Sequence, residues 1–359
     1  MSDTPETAGK ANPGNYFEDF RLGQEIIHAT PRTVSEGDMA LYTALYGSRF
    51  AIHSSDVFAG DLGFDGVPLD DLLVFHIVFG KTVPDISLNA IANLGYAMGR
   101  FEAPVQAGDT LSATSDVIGL KENSNGKTGV VYVRTHGVNQ VGETVLDYVR
   151  WVMVRKRDPQ AECVENLVPE LAEVVAPESL FVPEGLSMED YDLSLSGSPH
   201  LWDSYSVGEK IDHVDGMTIE EAEHMMATRL YQNTAKVHFN QHAAAAGRYP
   251  KRIVYGGHII SLARSLSFNG LANAFRVAAL NAGSHVAPTF AGDTIYAWSE
   301  VLDKAALSAH EDIGVLRLRT VAVKDKACDG FPYKDEGGAY DPAVVLDLDY
   351  WVLMPRLYG

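Results

Sequence analysis

The stretch Tyr231–Phe239 reads YQNTAKVHF and places His238 five residues after Asn233. An imidazole titrates near neutral pH, so a histidine fixed beside a reacting bond can take or give a proton. Taken alone, His238 between Val237 and Phe239 reads as a packed core residue, and the rest of the chain has to decide. His242 follows four positions later, at the helical spacing of a zinc pair. No glutamate follows the first histidine and no third ligand is evident, so no metal is expected. Downstream, YGGH brings Tyr255 and His258 to the start of an apolar segment, as ligand contacts or as helix-start packing. Arg229 and Lys236 flank the motif. They are either exposed helix cations or holders of an anionic ligand.

The elements that must position these residues are written twice. NYFEDFRLGQEIIH (Asn15–His28) is similar to HLWDSYSVGEKIDH (His200–His213), an offset of 185. At the same offset Tyr46 falls on Tyr231 and His53 on His238. FEAPVQAGDTLSA (Phe101–Ala113) is similar to HVAPTFAGDTIYA (His285–Ala297), and VLDYVRWVMV (Val145–Val154) to VLDLDYWVLM (Val345–Met354). The order is kept, so one domain occurs in two copies, over residues 15–157 and 199–359. Residues 158–198 are rich in Pro, Glu and Ser and read as a surface linker with one short helix.

Each copy begins with a short strand or turn. A helix opened by a capping box is expected next, Thr33-x-x-Glu36 and Thr218-x-x-Glu221. An irregular stretch holds His53 or His238. A more apolar helix and several alternating or β-branched strands complete the copy. A long apolar helix followed by antiparallel strands implies an α+β domain with its sheet wrapped round the helix. GDT at Gly108–Thr110 and at Gly292–Thr294 reads as a structural turn into a strand. NSNG (Asn123–Gly126) reads as a hairpin turn.

Composition bounds the function. The chain has 359 residues and a net charge of −20. That balance argues against nucleic acid, which needs a basic face, but not against an anionic small molecule held locally. There is no apolar run of about 18 residues, so no membrane span is expected. Residues 1–14 are polar and read as a disordered lead-in rather than a secretory signal. Two cysteines, Cys163 and Cys328, lie far apart without metal spacing, which fits a reducing cytoplasm. No Gly-rich nucleotide loop is present.

The layout resembles the hot-dog fold. The doubled chain resembles the double hot-dogs of the MaoC-like (R)-enoyl-CoA hydratase family, on His238, YGGHIISLARSL (Tyr255–Leu266) and APTFAGDT (Ala287–Thr294). FGKTVPDISLNAIANLGYA (Phe79–Ala97), GLKENSNG (Gly119–Gly126) and SFNGLANA (Ser267–Ala274) resemble the mesaconyl-CoA hydratase, or β-methylmalyl-CoA dehydratase, subgroup. The resemblance implies hydration of a C=C bond conjugated to a CoA thioester. CoA is then part of the substrate, no cofactor is needed, and a homo-oligomer is expected.

The family uses an Asp and a His five residues later, with a backbone N–H at a helix start taking the thioester's developing charge. On this chain the histidine falls on His238, the Asp on Asn233, and the helix start on Gly256 and Gly257. The departure matters, because an amide cannot be a base. His238 is then the one titrating group with Asn233 holding the water, or a carboxylate from elsewhere substitutes. An Asn also suits a substrate with its own carboxylate, which an Asp would repel. Tyr255, His258, Arg229 and Lys236 are the candidate substrate contacts, the two cations for a carboxylate or for CoA phosphates. In the first copy Ser48 replaces the Asp and PLDDLL (Pro68–Leu73) replaces the YGGH helix start, so the second copy is expected to be catalytic. The alternatives are an acyl-CoA thioesterase and a non-catalytic acyl-CoA-binding protein.

Overall fold

The computed structural model describes residues 10–161 and 165–357. Residues 1–9 of the expected lead-in, and Cys163, lie outside the described residues. Near the end of that lead-in, Asn89 Nδ2 donates to the carbonyls of Pro13 and Asn15.

Ten strands form one sheet: β1 (Glu25–Thr33), β2 (Ala90–Phe101), β3 (Thr110–Glu122), β4 (Thr128–Val138), β5 (Thr144–Arg155), β6 (Lys210–Thr218), β7 (Arg276–His285), β8 (Thr294–Leu307), β9 (His310–Lys324) and β10 (Val344–Pro355). Their order is β1-β3-β4-β5-β2-β7-β10-β9-β8-β6, one half followed by its mirror order. All pairings are antiparallel. This is the α+β double hot-dog the repeats imply. The halves meet where β2 pairs with β7, Ala97 opposite Ala282 and Gly99 opposite Leu280.

Two central helices fill the wrapped sheet, Asp71–Thr82 and Gly256–Leu266. The first is buried along its whole length and the second from Gly257 to Leu266. A helix enclosed on every side carries apolar residues all round, which DLLVFHIVFG and GHIISLARSL do apart from a few hydrogen-bonded polar residues.

Beside them lie two amphipathic helices, Glu36–Tyr46 and Glu221–Leu230. Neither is opened by the expected threonine. Thr33 and Thr218 end β1 and β6, where their hydroxyls pair with Thr110 and Thr294 across the ladder. The first helix is capped two residues later, by Ser35 and Asp38 in a reciprocal box, and the second follows Glu220 with no side-chain cap. Strand pairing outcompetes the capping pattern here, because a threonine suits a strand at least as well as a cap.

β2 and β7 were not legible as strands. AIANLGYAMGRF and RVAALNAGSH are rich in Ala, Gly and Asn, which carry little β-propensity. Their small residues permit close packing instead: a Cβ on Gly95 would sit 2.3 Å from the Trp151 ring.

Residues 158–198 do more than span the surface. Val175, Leu180, Leu186 and Met188 join a core cluster with Ile52, Phe58, Phe275 and Trp351, and the Trp351 indole N–H donates to Val175 O at 3.0 Å. The GDT segments are turns as read, with Gly108 and Gly292 both at φ +100° and strands starting at Thr110 and Thr294. Among the described residues no helix is long and apolar enough to cross a membrane.

Candidate active site

The segment after helix Glu221–Leu230 is turned by its own polar residues. Asn233 N–H donates back to Thr228 O, and Asn233 Oδ1 accepts from Ala235 N–H at 3.1 Å. This asparagine turn leads into a single helical turn, Lys236–Phe239, that carries His238.

His238 Nδ1 lies 2.9 Å from Ile253 O. A carbonyl only accepts, so the proton sits on Nδ1 and Nε2 keeps its lone pair. Burial pushes the His238 pKa down to about 4, against the Ile253 hydrogen bond, which raises it. The ring is therefore neutral at pH 7 and able to accept a proton. Tyr255 packs edge-on against it, with ring centroids 5.6 Å apart.

His238 and Asn233 open into a cavity of about 270 Å³. Its other walls include Tyr255, Gly256 and His285 from the second half and Phe79, Tyr96 and Arg150 from the first. The helix Gly256–Leu266 starts at this cavity with no side-chain cap; His258 N–H bonds back to Tyr255 O, and no side chain covers the Gly256 N–H. Gly256 is required there: a Cβ would sit 2.4 Å from the His285 ring. His285 Nε2 lies 3.2 Å from the Tyr96 hydroxyl, and burial, then His238, pushes its pKa down to about 4.

Asn233 also lines a second cavity, of about 530 Å³. It is bordered by Lys81, Arg229, Gln232 and Phe239. Lys81 donates to Thr30 O, and burial, with Arg32 nearby, lowers its pKa to about 8.

The expected residues separate. Asn233, His238, Tyr255 and Gly256 converge on the first cavity. Gly257 instead faces the rings of Tyr255 and His76. His258 is buried, with Nδ1 2.8 Å from the Tyr46 hydroxyl, and lines neither cavity. Arg229 is exposed at the second cavity, and Lys236 is exposed outside both.

Sequence reasoning did not single out Arg150, Asn93, Tyr96 or His285, all on the first cavity. A signal existed for two of them. Between the copies, His285 stands where Phe101 does and Arg150 where Tyr350 does, so in each matched pair a charge-capable group stands against an aromatic one.

The first half repeats the histidine but not the opening. His53 Nδ1 lies 3.0 Å from Pro68 O, as His238 does from Ile253. Asp70 caps its helix by accepting from Leu72 N–H at 2.9 Å. Asp71 lies 3.1 Å from Arg276 Nε and accepts from Val277 N–H, with burial pushing its pKa up. Carboxylates therefore occupy the helix start that is open in the second half.

A family model described as mesaconyl-CoA hydratase matches residues 2–331. A β-methylmalyl-CoA dehydratase of Chloroflexus aurantiacus is 68% identical, over 97% of this chain and 99% of that protein. A mesaconyl-CoA hydratase of Cereibacter sphaeroides is 63% identical, over 97% of this chain and all of that protein. A solved MaoC domain dehydratase from Chloroflexus aurantiacus superposes with a TM-score of 0.96 at 68% identity, covering 98% of this chain and 100% of that one. A Mycobacterium tuberculosis protein with a double hot-dog fold, 24% identical over 96% of this chain and 99% of its own, superposes at 0.75 and shares the fold.

Proposed function

The chain belongs to the mesaconyl-CoA hydratase family of MaoC-like hydro-lyases, and on that premise we propose that its first cavity is where mesaconyl-CoA is reversibly hydrated to β-methylmalyl-CoA. The observation that carries this reading is the His238 tautomer. With Nδ1–H held by Ile253 O, the basic Nε2 is presented to a cavity that also contains an uncapped helix start.

Water bound between Asn233 and His238 attacks C3 of the enoyl thioester as His238 Nε2 takes its proton. The electron pair of the double bond moves onto the thioester oxygen, which the Gly256 N–H receives. The imidazolium then returns the proton to C2, so one histidine serves as base and acid. A folded pKa of about 4 makes His238 a weak base in the empty site. A substrate carboxylate close to C3 favours the imidazolium and raises that value toward working pH. Asn233 answers the departure from an Asp: it donates to water or carboxylate without adding a negative charge beside one. The reaction transfers no net electrons, so no cofactor is assigned beyond the CoA carried by the substrate.

The second cavity is assigned to the pantetheine arm, with Lys81 and Arg229 toward the CoA phosphates, because Asn233 lines both cavities. Action in the cytoplasm and assembly into a homo-oligomer belong to the same reading, and light scattering on the purified protein measures the latter.

Purified protein mixed with mesaconyl-CoA should remove the absorbance of the conjugated thioester without releasing free thiol. Thiol release would make it a thioesterase, and neither signal would leave an acyl-CoA-binding protein.

A further inference from the structure

Among the described residues, one arginine on the first cavity has no counter-charge. Arg150, on β5, is 0% exposed. Its Nη2 donates to Thr82 Oγ1 at 2.6 Å and lies 3.5 Å from Ser87 Oγ. Among the described residues its Nε and Nη1 have no hydrogen-bond partner. The acid nearest to it on its own strand, Asp147, is taken by Arg100 and Arg134. The Phe79 ring lies 4.2 Å below the guanidinium and offsets only part of its lost hydration.

Two other buried arginines have a carboxylate or a carbonyl partner and line no part of this cavity, although Arg276 Nη1 is also unpartnered among the described residues. Arg276 pairs with Asp71, and Arg264 donates to Ala274 O and Ser267 Oγ. Asn93 shares the situation of Arg150: it lines the same cavity, and among the described residues neither its Oδ1 nor its Nδ2 has a partner. Strand register brings the two together, since Asn93 stands opposite Val152, two positions along β5 from Arg150. Burial works against the charge on Arg150. A guanidinium nevertheless stays protonated in proteins, and a buried unpaired charge is costly. Bare donors on a cavity wall are explained when the missing partner arrives with the ligand.

We propose that the Arg150 guanidinium, assisted by the Asn93 amide, is the subsite that takes the free carboxylate of the acyl group, making the cavity selective for acyl-CoA thioesters with a distal carboxylate. This rests on the hydration reading for its substrate, and it divides the work. The first half recognises charge through β2 and β5, while the second half moves the proton through His238. A planar fork of N–H groups suits a carboxylate better than the exposed Arg229 or Lys236, which lie outside this cavity.

Succinyl-CoA and butyryl-CoA test it. Both are saturated, both carry four-carbon acyl groups, and they differ in a terminal carboxylate against a methyl. Calorimetry on the full-length wild-type protein should find succinyl-CoA bound about 10²-fold more tightly, the scale of a desolvated charge pair. In Arg150→Met that preference should fall to within about threefold of parity, with butyryl-CoA affinity nearly unchanged. Asn93→Leu should reduce the preference by roughly tenfold, and it serves if Arg150→Met does not fold. Equal wild-type affinities would overturn the subsite without any variant, as would a full preference retained in Arg150→Met. A wild-type protein that prefers succinyl-CoA but leaves mesaconyl-CoA unhydrated would sink the proposed reaction and keep the subsite.

Discussion

The hydroxyls of Tyr46 and Tyr231 lie 2.6 Å apart, and the two residues are separated by the repeat offset of 185. They are the same tyrosine of the two copies, meeting where the halves face each other. The Tyr46 hydroxyl stands in the middle of a chain, bonded to the Tyr231 hydroxyl on one side and to His258 Nδ1, 2.8 Å away, on the other. All three groups are buried.

Tyr46 has two partners in this chain and Tyr231 one, which makes the two tyrosines unequal. Tyr46→Phe leaves both the Tyr231 hydroxyl and His258 Nδ1 unpaired and should cost about 2–4 kcal/mol. Tyr231→Phe leaves Tyr46 able to donate to His258 and should cost roughly 1 kcal/mol. Urea unfolding of the two variants measures the difference. Equal losses would mean the chain is not ordered in this way.

His238→Ala should lower kcat by about 10²–10⁴-fold with the melting temperature nearly unchanged, the range for loss of a general acid–base group. His53→Ala should lower it less than tenfold, because Asp70 and Asp71 close the matching helix start. Steady-state assays on mesaconyl-CoA compare them. Similar losses at both histidines would show that both halves react.

Asn233→Asp should shift the ratio of kcat/KM from mesaconyl-CoA toward the neutral crotonyl-CoA by about tenfold or more. Like charges about 4 Å apart repel by about 1 kcal/mol in water and several-fold more in a drier site. An unchanged ratio would mean that Asn233 does not sense the substrate's carboxylate.

Stability should fall steeply on mild acidification. Burial holds His213, His238 and His285 at about 4 and His76 and His258 at about 3. Above about 6.5 these histidines are neutral in both states and contribute nothing to pH dependence. Below it the unfolded chain binds protons that the folded chain refuses until about pH 4. Well below pH 6.5 each histidine then removes about 1.4 kcal/mol per pH unit, and the five together about 7 kcal/mol per pH unit. Circular dichroism between pH 7 and pH 4 should find unfolding near pH 5, above the carboxylate range. A flat stability from pH 7 to pH 5 would contradict the burial of these rings.

Repetition made much of this protein readable from its sequence. Two copies at a constant offset imply two similar half-folds, and paired Tyr46/Tyr231 and His53/His238 point to equivalent places in each. Local turn chemistry placed Asn233 and His238 together, since an asparagine turn and one helical turn join them over a few residues. The glycine-rich helix start was legible for the same reason.

Contacts between distant segments were not legible, because spacing in a chain carries no information about which faces meet. β2 and β7 are poor strand formers held by neighbours on both sides, so only the closed sheet makes them strands. The capping threonines were taken by strand ladders for the same reason. His258 looked like a ligand contact from its place after Gly257, but helix packing turned it toward Tyr46. Arg150 looked like one cation in an alternating strand. Its meaning came from the tertiary structure alone, which buried it on a cavity wall with two donor nitrogens bare and Asp147, the acid of its own strand, already paired.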